Sequence, residues 1–279
     1  MNLLKSVFAI SVQNIRKWQT DYRVWFVGMI VFIMVQMYIE ETNTTVTIFG
    51  TEMPIWIYPF IYTGSYFKPV FTLPVILLFC NAPFIDANQT FIFMRCGRQK
   101  WLCGQIIYVI AASGIYYIFL LALTLLCTVF TGELSLEWGK TLTVASYSGS
   151  GSGISISPFI ISFFTPLSAT WFTFLLSWLC GIMLGLMIFF FNILTRTRFI
   201  GITVSSLLVV LSIFVSSGFA ELLPYSPVSW NTVDNIDVGG VTSNPSFGYC
   251  ITVYLVLIAA LTAGIFIFGK RQSMDVKGH

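Results

Sequence analysis

Charge is scarce in this sequence: Asp, Glu, Lys and Arg make up only 9% of its 279 residues. A soluble domain carries roughly a quarter charged residues. A water-exposed globule of this composition would be covered in apolar patches, so the shortage excludes an ordinary soluble fold. Histidine is scarcer still, with a single copy at His279. That removes most histidine-based metal sites and catalytic triads. Six cysteines (Cys80, Cys96, Cys103, Cys127, Cys180 and Cys250) include no CxxC pair. They read as small buried hydrophobes rather than as a disulfide framework. The basic residues come in small groups beside apolar runs, which excludes a nucleic-acid surface.

What is present is hydrophobic sequence, 57% of the chain, with a mean hydropathy of +0.86. The pattern predicts an all-α integral membrane protein forming a single transmembrane domain over residues 1–279. An amphipathic interfacial helix is expected over 1–22, where Leu4, Val7 or Phe8, Ile15, Trp18 and Tyr22 recur at three- and four-residue steps. Six transmembrane helices are expected at about 24–39, 67–84, 105–130, 167–194, 199–218 and 249–269. Pro69 and Pro74 predict a kink or an irregular start in the second. The aromatic run Ile55-Trp56-Ile57-Tyr58-Pro59-Phe60 is expected on the outer surface or dipping partway in. Residues 146–153 have flexible-linker composition.

The few charges are sorted. Lys5, Arg16, Lys17, Arg23, Arg95, Arg98, Lys100, Arg196, Arg198, Lys270, Arg271 and Lys277 fall on one side of this layout. Glu40, Glu41, Glu52, Glu133, Glu137, Glu221, Asp234 and Asp237 fall on the other, with only Lys68 and Lys140 as basic company. Basic residues beside short loops stay in the cytoplasm, so both termini are expected to be cytoplasmic. Lys68 is placed near a membrane edge and the span centres hold no ionisable group, which argues against ion- or proton-coupled transport. The energy for any transport then comes from elsewhere.

Three motifs carry no chemistry. Gly139-Lys140-Thr141 ends like a phosphate-binding loop, but position 134, where that loop needs glycine, is Leu. The run Gly149-Ser150-Gly151-Ser152-Gly153 suggests an intramembrane serine protease, yet no histidine base sits in a neighbouring span. Glu133, Glu137, Glu221, Asp234 and Asp237 form the one acidic group, best explained as solvated loop acids. The loop over 85–104 is more informative. Retention in the cytoplasm accounts for Arg95, Arg98 and Lys100, but not for Phe91, Phe93, Met94 and Trp101 beside them. A short helix docking on a cytosolic partner, with aromatic anchors and rim charges, accounts for both.

At this loop the chain resembles the six-span export permeases of ABC transporters that share the ABCG-like (type V) fold. The resemblance lies in an amphipathic helix before the first span and an acid, Asp86, followed by the apolar stretch Phe91 to Met94. It continues in the basic cluster Arg95-Cys96-Gly97-Arg98-Gln99-Lys100 and the proline-punctuated Leu222-Leu223-Pro224-Tyr225-Ser226-Pro227. It covers essentially the whole chain in layout. The resemblance implies that 85–104 is a coupling loop receiving motion from a separate ABC ATPase subunit, through Asp86, Phe91, Phe93, Met94, Arg95, Arg98, Lys100 and Trp101. It implies an outer re-entrant segment over 219–248 forming a gate with Glu221, Pro224, Pro227 and Trp230. It further implies a second permease copy or paralogue, with cargo at the dimer interface. No cofactor is expected in this chain, since ATP and magnesium would be bound by the partner ATPase. The expected function is a non-catalytic exporter subunit moving an amphiphilic or peptide-like cargo across the bacterial cytoplasmic membrane. The alternative is a six-span channel or membrane scaffold without ATP coupling.

Overall fold

The computed structural model describes residues 3–49, 53–64, 67–84, 96–129, 132–133, 137–147, 156–238, 240 and 243–271. Nine α-helices run through these residues: α1 (Leu3–Arg16), α2 (Tyr22–Phe49), α3 (Phe67–Phe79), α4 (Arg98–Val129), α5 (Gly139–Tyr147), α6 (Pro158–Phe163), α7 (Pro166–Thr195), α8 (Phe199–Gly218) and α9 (Phe247–Arg271). The only described strands are a two-residue parallel pair that joins Met53–Pro54 to Gly132–Glu133. Five helices, α2, α4, α7, α8 and α9, are long and apolar enough to cross a membrane, so the chain is an all-α, multi-pass membrane protein.

Several boundaries differ from those expected, each for a local reason. The first span does not stop at 39; α2 runs through Glu40 and Glu41 to Phe49, because no helix breaker occurs before Gly50. The second does not reach 84 as helix. At about 1.5 Å per residue, the 13 residues of α3 cover roughly 20 Å, and Cys80 to Phe84 form a turn. The loop expected over 85–104 ends early: Gly97 takes a left-handed φ of +76°, and α4 starts at Arg98. Residues 219–248 begin not with re-entrant α-helices but with three short 3₁₀ turns, Ala220–Tyr225, Pro227–Asn231 and Val233–Asn235. Pro224 and Pro227 remove backbone donors there and hold the chain to single turns.

α7 is the hub of the bundle and is largely buried, whereas α9 exposes most of its length. α7 packs against α3, α4, α8 and α9. Small residues permit the approach: a Cβ at Gly185 would lie 2.7 Å from Val109 Cγ1 and 2.8 Å from Phe79 Cδ2. The outward faces are apolar as well, including Trp25, Phe199, Phe214 and Val256, which suits a hydrocarbon surround. α1 lies along the start of α4. Its buried face is Ser6, Val7, Ile10, Ser11 and Asn14, with Asn14 Nδ2 donating to Gln105 Oε1 at 2.9 Å. Phe8 and Tyr22, counted on the apolar stripe from spacing alone, point away from the protein.

The short turn after α7 is held by one side chain. Asn192 Nδ2 donates to Ala82 O at 2.7 Å, and its Oδ1 accepts from Gly201 N at 3.0 Å, joining α7, α8 and the turn after α3. Asn192→Leu leaves both buried backbone groups without partners. The expected cost is on the order of 2–4 kcal/mol, read as a lowered unfolding midpoint in detergent. An unchanged midpoint would contradict this clamp.

Candidate functional site

The charged residues gather at the two ends of the bundle. Lys17, Arg23 and Arg198 line one cavity, and at the same end Arg98 Nη1 donates to Lys270 O at 3.1 Å. A guanidinium on the last carbonyls of α9 is well placed against the helix dipole. At the opposite end, the run 55–60, expected on the outer surface or dipping partway in, is packed into the protein together with Ile61 and Tyr62. Tyr58, Phe60, Ile61 and Tyr62 are fully buried and fill the space against α4 and α7. Too short to span, this run finds its burial inside the protein instead of at the headgroups.

Lys68, the second residue of α3, has 2% of its surface exposed. It is no edge residue. Its Nζ donates to Ser216 Oγ of α8 at 2.9 Å and to the carbonyl of Ser229 at 3.4 Å. Asp234, in the third 3₁₀ turn, is near enough to attract the ammonium. Ser157 Oγ in turn donates to Asp234 Oδ1. Asn235 Nδ2 shares the Ser229 carbonyl at 2.7 Å, and Asn231 Nδ2 reaches Thr72 Oγ1 at 3.3 Å. A lone charge in this setting is costly, and the ring of oxygens is what makes it tolerable.

Elsewhere in the interior, among the described residues, Tyr58 OH, Ser113 Oγ and Thr173 Oγ1 are buried polar atoms with no hydrogen-bond partner, as is Asn231 Oδ1 beside Thr72. Such orphans are rare in proteins and ordinarily meet water or a ligand. Burial pushes the phenols of Tyr58 and Tyr62 well above their usual range, so both remain neutral donors. The chemistry available is binding and positioning: one cation, one acid and several neutral hydroxyls. Among the described residues, no three His, Cys, Asp or Glu come together to hold a metal.

The residues expected at the outer gate are partly gathered here. The Pro227 carbonyl accepts from Tyr254 OH at 2.6 Å, and that of Pro224 from Tyr249 OH at 3.2 Å. Trp230 is buried edge-on to both tyrosine rings and donates to Leu223 O at 2.7 Å. The segment is thus stapled to α9. Glu221 is exposed. Of the expected coupling residues, Asp86, Phe91, Phe93, Met94 and Arg95 lie outside the described residues, as does most of the linker run 146–153. Lys100 is half-exposed on α4, and Arg98 is engaged at α9. Trp101 is wholly buried, so it supports the start of α4 from within and offers no surface to a partner. No disulfide joins the cysteines among the described residues.

Sequence reasoning missed Lys68, Thr72, Ser229 and Asn231 as one constellation. The available signal was a lysine opening an otherwise apolar helix, matched by Ser and Asn inside the apolar run 223–233. Comparison with family models, with curated proteins and with solved structures finds no match.

Proposed function

We propose that the chain is the permease subunit of an ATP-binding-cassette exporter in a bacterial cytoplasmic membrane. It has six spans, with α3 the short second one, and both termini lie on the cytoplasmic side. It moves an amphiphilic or peptide-like cargo outward, a separate ATPase subunit supplies the energy, and a second permease copy or paralogue completes the path. The observation that carries this reading is the joint at the basic end. α4 begins directly after the basic loop, its first turns are packed under α1, and Arg98 is bonded to the end of α9. A push on residues 85–97 therefore reaches the amphipathic helix and the last span together. At the other end, the Lys68 cluster latches the 3₁₀ segment to α3 and α8, and outward opening releases it. Alternation of this kind requires contacts that differ between two states, which a buried but breakable polar latch provides.

The test is to purify the native complex without a tag on this chain and to reverse the basic loop charges. A nucleotide-binding subunit is expected to accompany the chain. Arg95→Glu with Lys100→Glu, which leaves the Arg98 bond to Lys270 intact, is expected to cut retention of that subunit by about tenfold or more. A chain that purifies alone, and exports normally with both charges reversed, belongs to the channel or scaffold class instead.

A further inference from the structure

At the basic end, a cavity of about 130 Å³ opens between the 3₁₀ turn after α1, the start of α2, the turn after α3, the middle of α4 and the α7–α8 turn. Lys17, Arg23 and Arg198 line it, each from a different segment, and Asp21 is the only acid among the described residues that line it. Asp21 Oδ1 already accepts from Arg23 N and caps the first turn of α2. The wall is completed by Trp18, Phe84 and Tyr108. Trp18 Nε1 donates to Tyr108 OH at 2.8 Å, which fixes that side of the pocket.

The guanidinium of Arg23 is held only by weak partners. Its Nε donates to Tyr22 OH at 3.3 Å and its Nη1 to Cys80 Sγ at 3.7 Å, with no carboxylate among its hydrogen-bond partners. Arg198 is exposed at the opposite rim. A pair of arginines with donors to spare, and a lysine beside them, is the geometry that takes a tetrahedral oxyanion, because planar guanidinium forks match phosphate oxygens. The volume corresponds to roughly four waters, room for one phosphate group.

What attaches to that phosphate is indicated by the surroundings. Tyr22, Trp25 and Phe199, at 73%, 68% and 79% exposure, flank the pocket. Exposed aromatics of this kind settle at the headgroup level of a bilayer. Below them Phe26 and Met29 continue an apolar outward strip along α2, suited to an acyl chain. We infer that this pocket binds the phosphodiester headgroup of an anionic phospholipid, with Arg23 and Arg198 on the phosphate and the acyl chains along α2. Basic pockets between spans at the cytoplasmic interface favour such headgroups on electrostatic grounds. The bound lipid would tie α1, α2, α3 and α8 at one point. The inference does not rest on the exporter reading; a chain without an ATPase partner keeps the pocket.

The experiment compares phosphatidylglycerol with phosphatidylcholine on the protein reconstituted in nanodiscs, then released for native mass spectrometry. One phosphatidylglycerol per chain is expected to be retained, and no phosphatidylcholine. Arg198→Gln, at an exposed position that cannot disturb the fold, is expected to weaken retention about fivefold, and Arg23→Gln/Arg198→Gln about twenty-fivefold. Arg16→Gln, exposed at the same end but outside the pocket, is expected to change nothing. Equal retention of both lipids, or undiminished retention by the double variant with its helix content intact, overturns the proposal. So does inorganic phosphate that displaces the lipid at equal concentration, which would assign the pocket to a free anion.

Discussion

Lys68→Met is expected to leave the protein at least as stable as the parent, while Asp234→Leu destabilises it. Methionine keeps the length and apolar stem of lysine and removes the charge that α3 must hold away from solvent. Little is orphaned by the change. The Ser229 carbonyl keeps its bond from Asn235, and Ser216 can turn its hydroxyl to its own helix. Removing a buried ammonium that is held by a hydroxyl and a carbonyl rather than by a carboxylate relieves its desolvation cost, which is several kcal/mol for an ion. Removing Asp234 alone has the opposite effect, because Lys68 then faces no acid and Ser157 loses its acceptor. Asp234 is only half-buried and acts on Lys68 from beyond ion-pair distance, so the expected loss is roughly 1–3 kcal/mol, chiefly from the lost Ser157 bond and the lost attraction. The double variant is expected to be more stable than the sum of the two single changes predicts. Unfolding midpoints in one detergent decide it; a strongly destabilised Lys68→Met would mean that the ammonium is a structural necessity. If it is not, its place in the fold is explained by the latch.

Gly201→Ala carries the second large effect. A Cβ there would lie 2.5 Å from Ile188 O, 2.5 Å from Asn192 Oδ1 and 2.9 Å from Ile188 Cα. Two of these atoms are backbone of α7 and cannot rotate aside, and the third belongs to the Asn192 clamp. Overpacking a tight site costs about 1–3 kcal/mol, and breaking the clamp adds a comparable amount. Gly28→Ala is the matched control. Nothing lies within 4 Å of a Cβ at Gly28, in the middle of α2, so that change is expected to stabilise by about 0.5–1 kcal/mol through helix propensity. Opposite signs from the same chemical substitution separate packing from propensity. Two similar midpoints would refute the close approach of α7 and α8.

The two substitutions also mark what was readable from the chain. The common side expected for Lys17, Arg23 and Arg198 was legible because retention acts on each loop separately. Lys17, Arg23 and Arg198 do meet at one end. Gly201 gives no sign of its role, since its neighbours Ile188 and Asn192 come from another helix. The run 55–62 is apolar in either setting, and hydropathy cannot tell a surface aromatic from one inserted against α7. Phe8 and Tyr22 fell on the expected stripe, yet α1 turns a partly polar face, Ser6, Ser11 and Asn14, toward α4. Periodicity finds a helix but not the partner that selects its buried side. Lys68 was the largest omission. A lysine beside an outer loop and one sealed beneath 3₁₀ turns are the same letter when those turns lie far along the sequence.

That separation has a consequence for how the protein is made. The two oxygens that hold the Lys68 ammonium come 148 and 161 residues after it. At a synthesis rate of about 5–20 residues per second, the ribosome needs roughly 7 to 30 s to deliver them. During that interval the lysine has only water and headgroups to bond. The short helix it opens is therefore expected to wait at the membrane surface while the longer spans, whose charges lie nearer their ends, insert. Its entry belongs to the last stage of assembly, when α8 and the segment after it arrive.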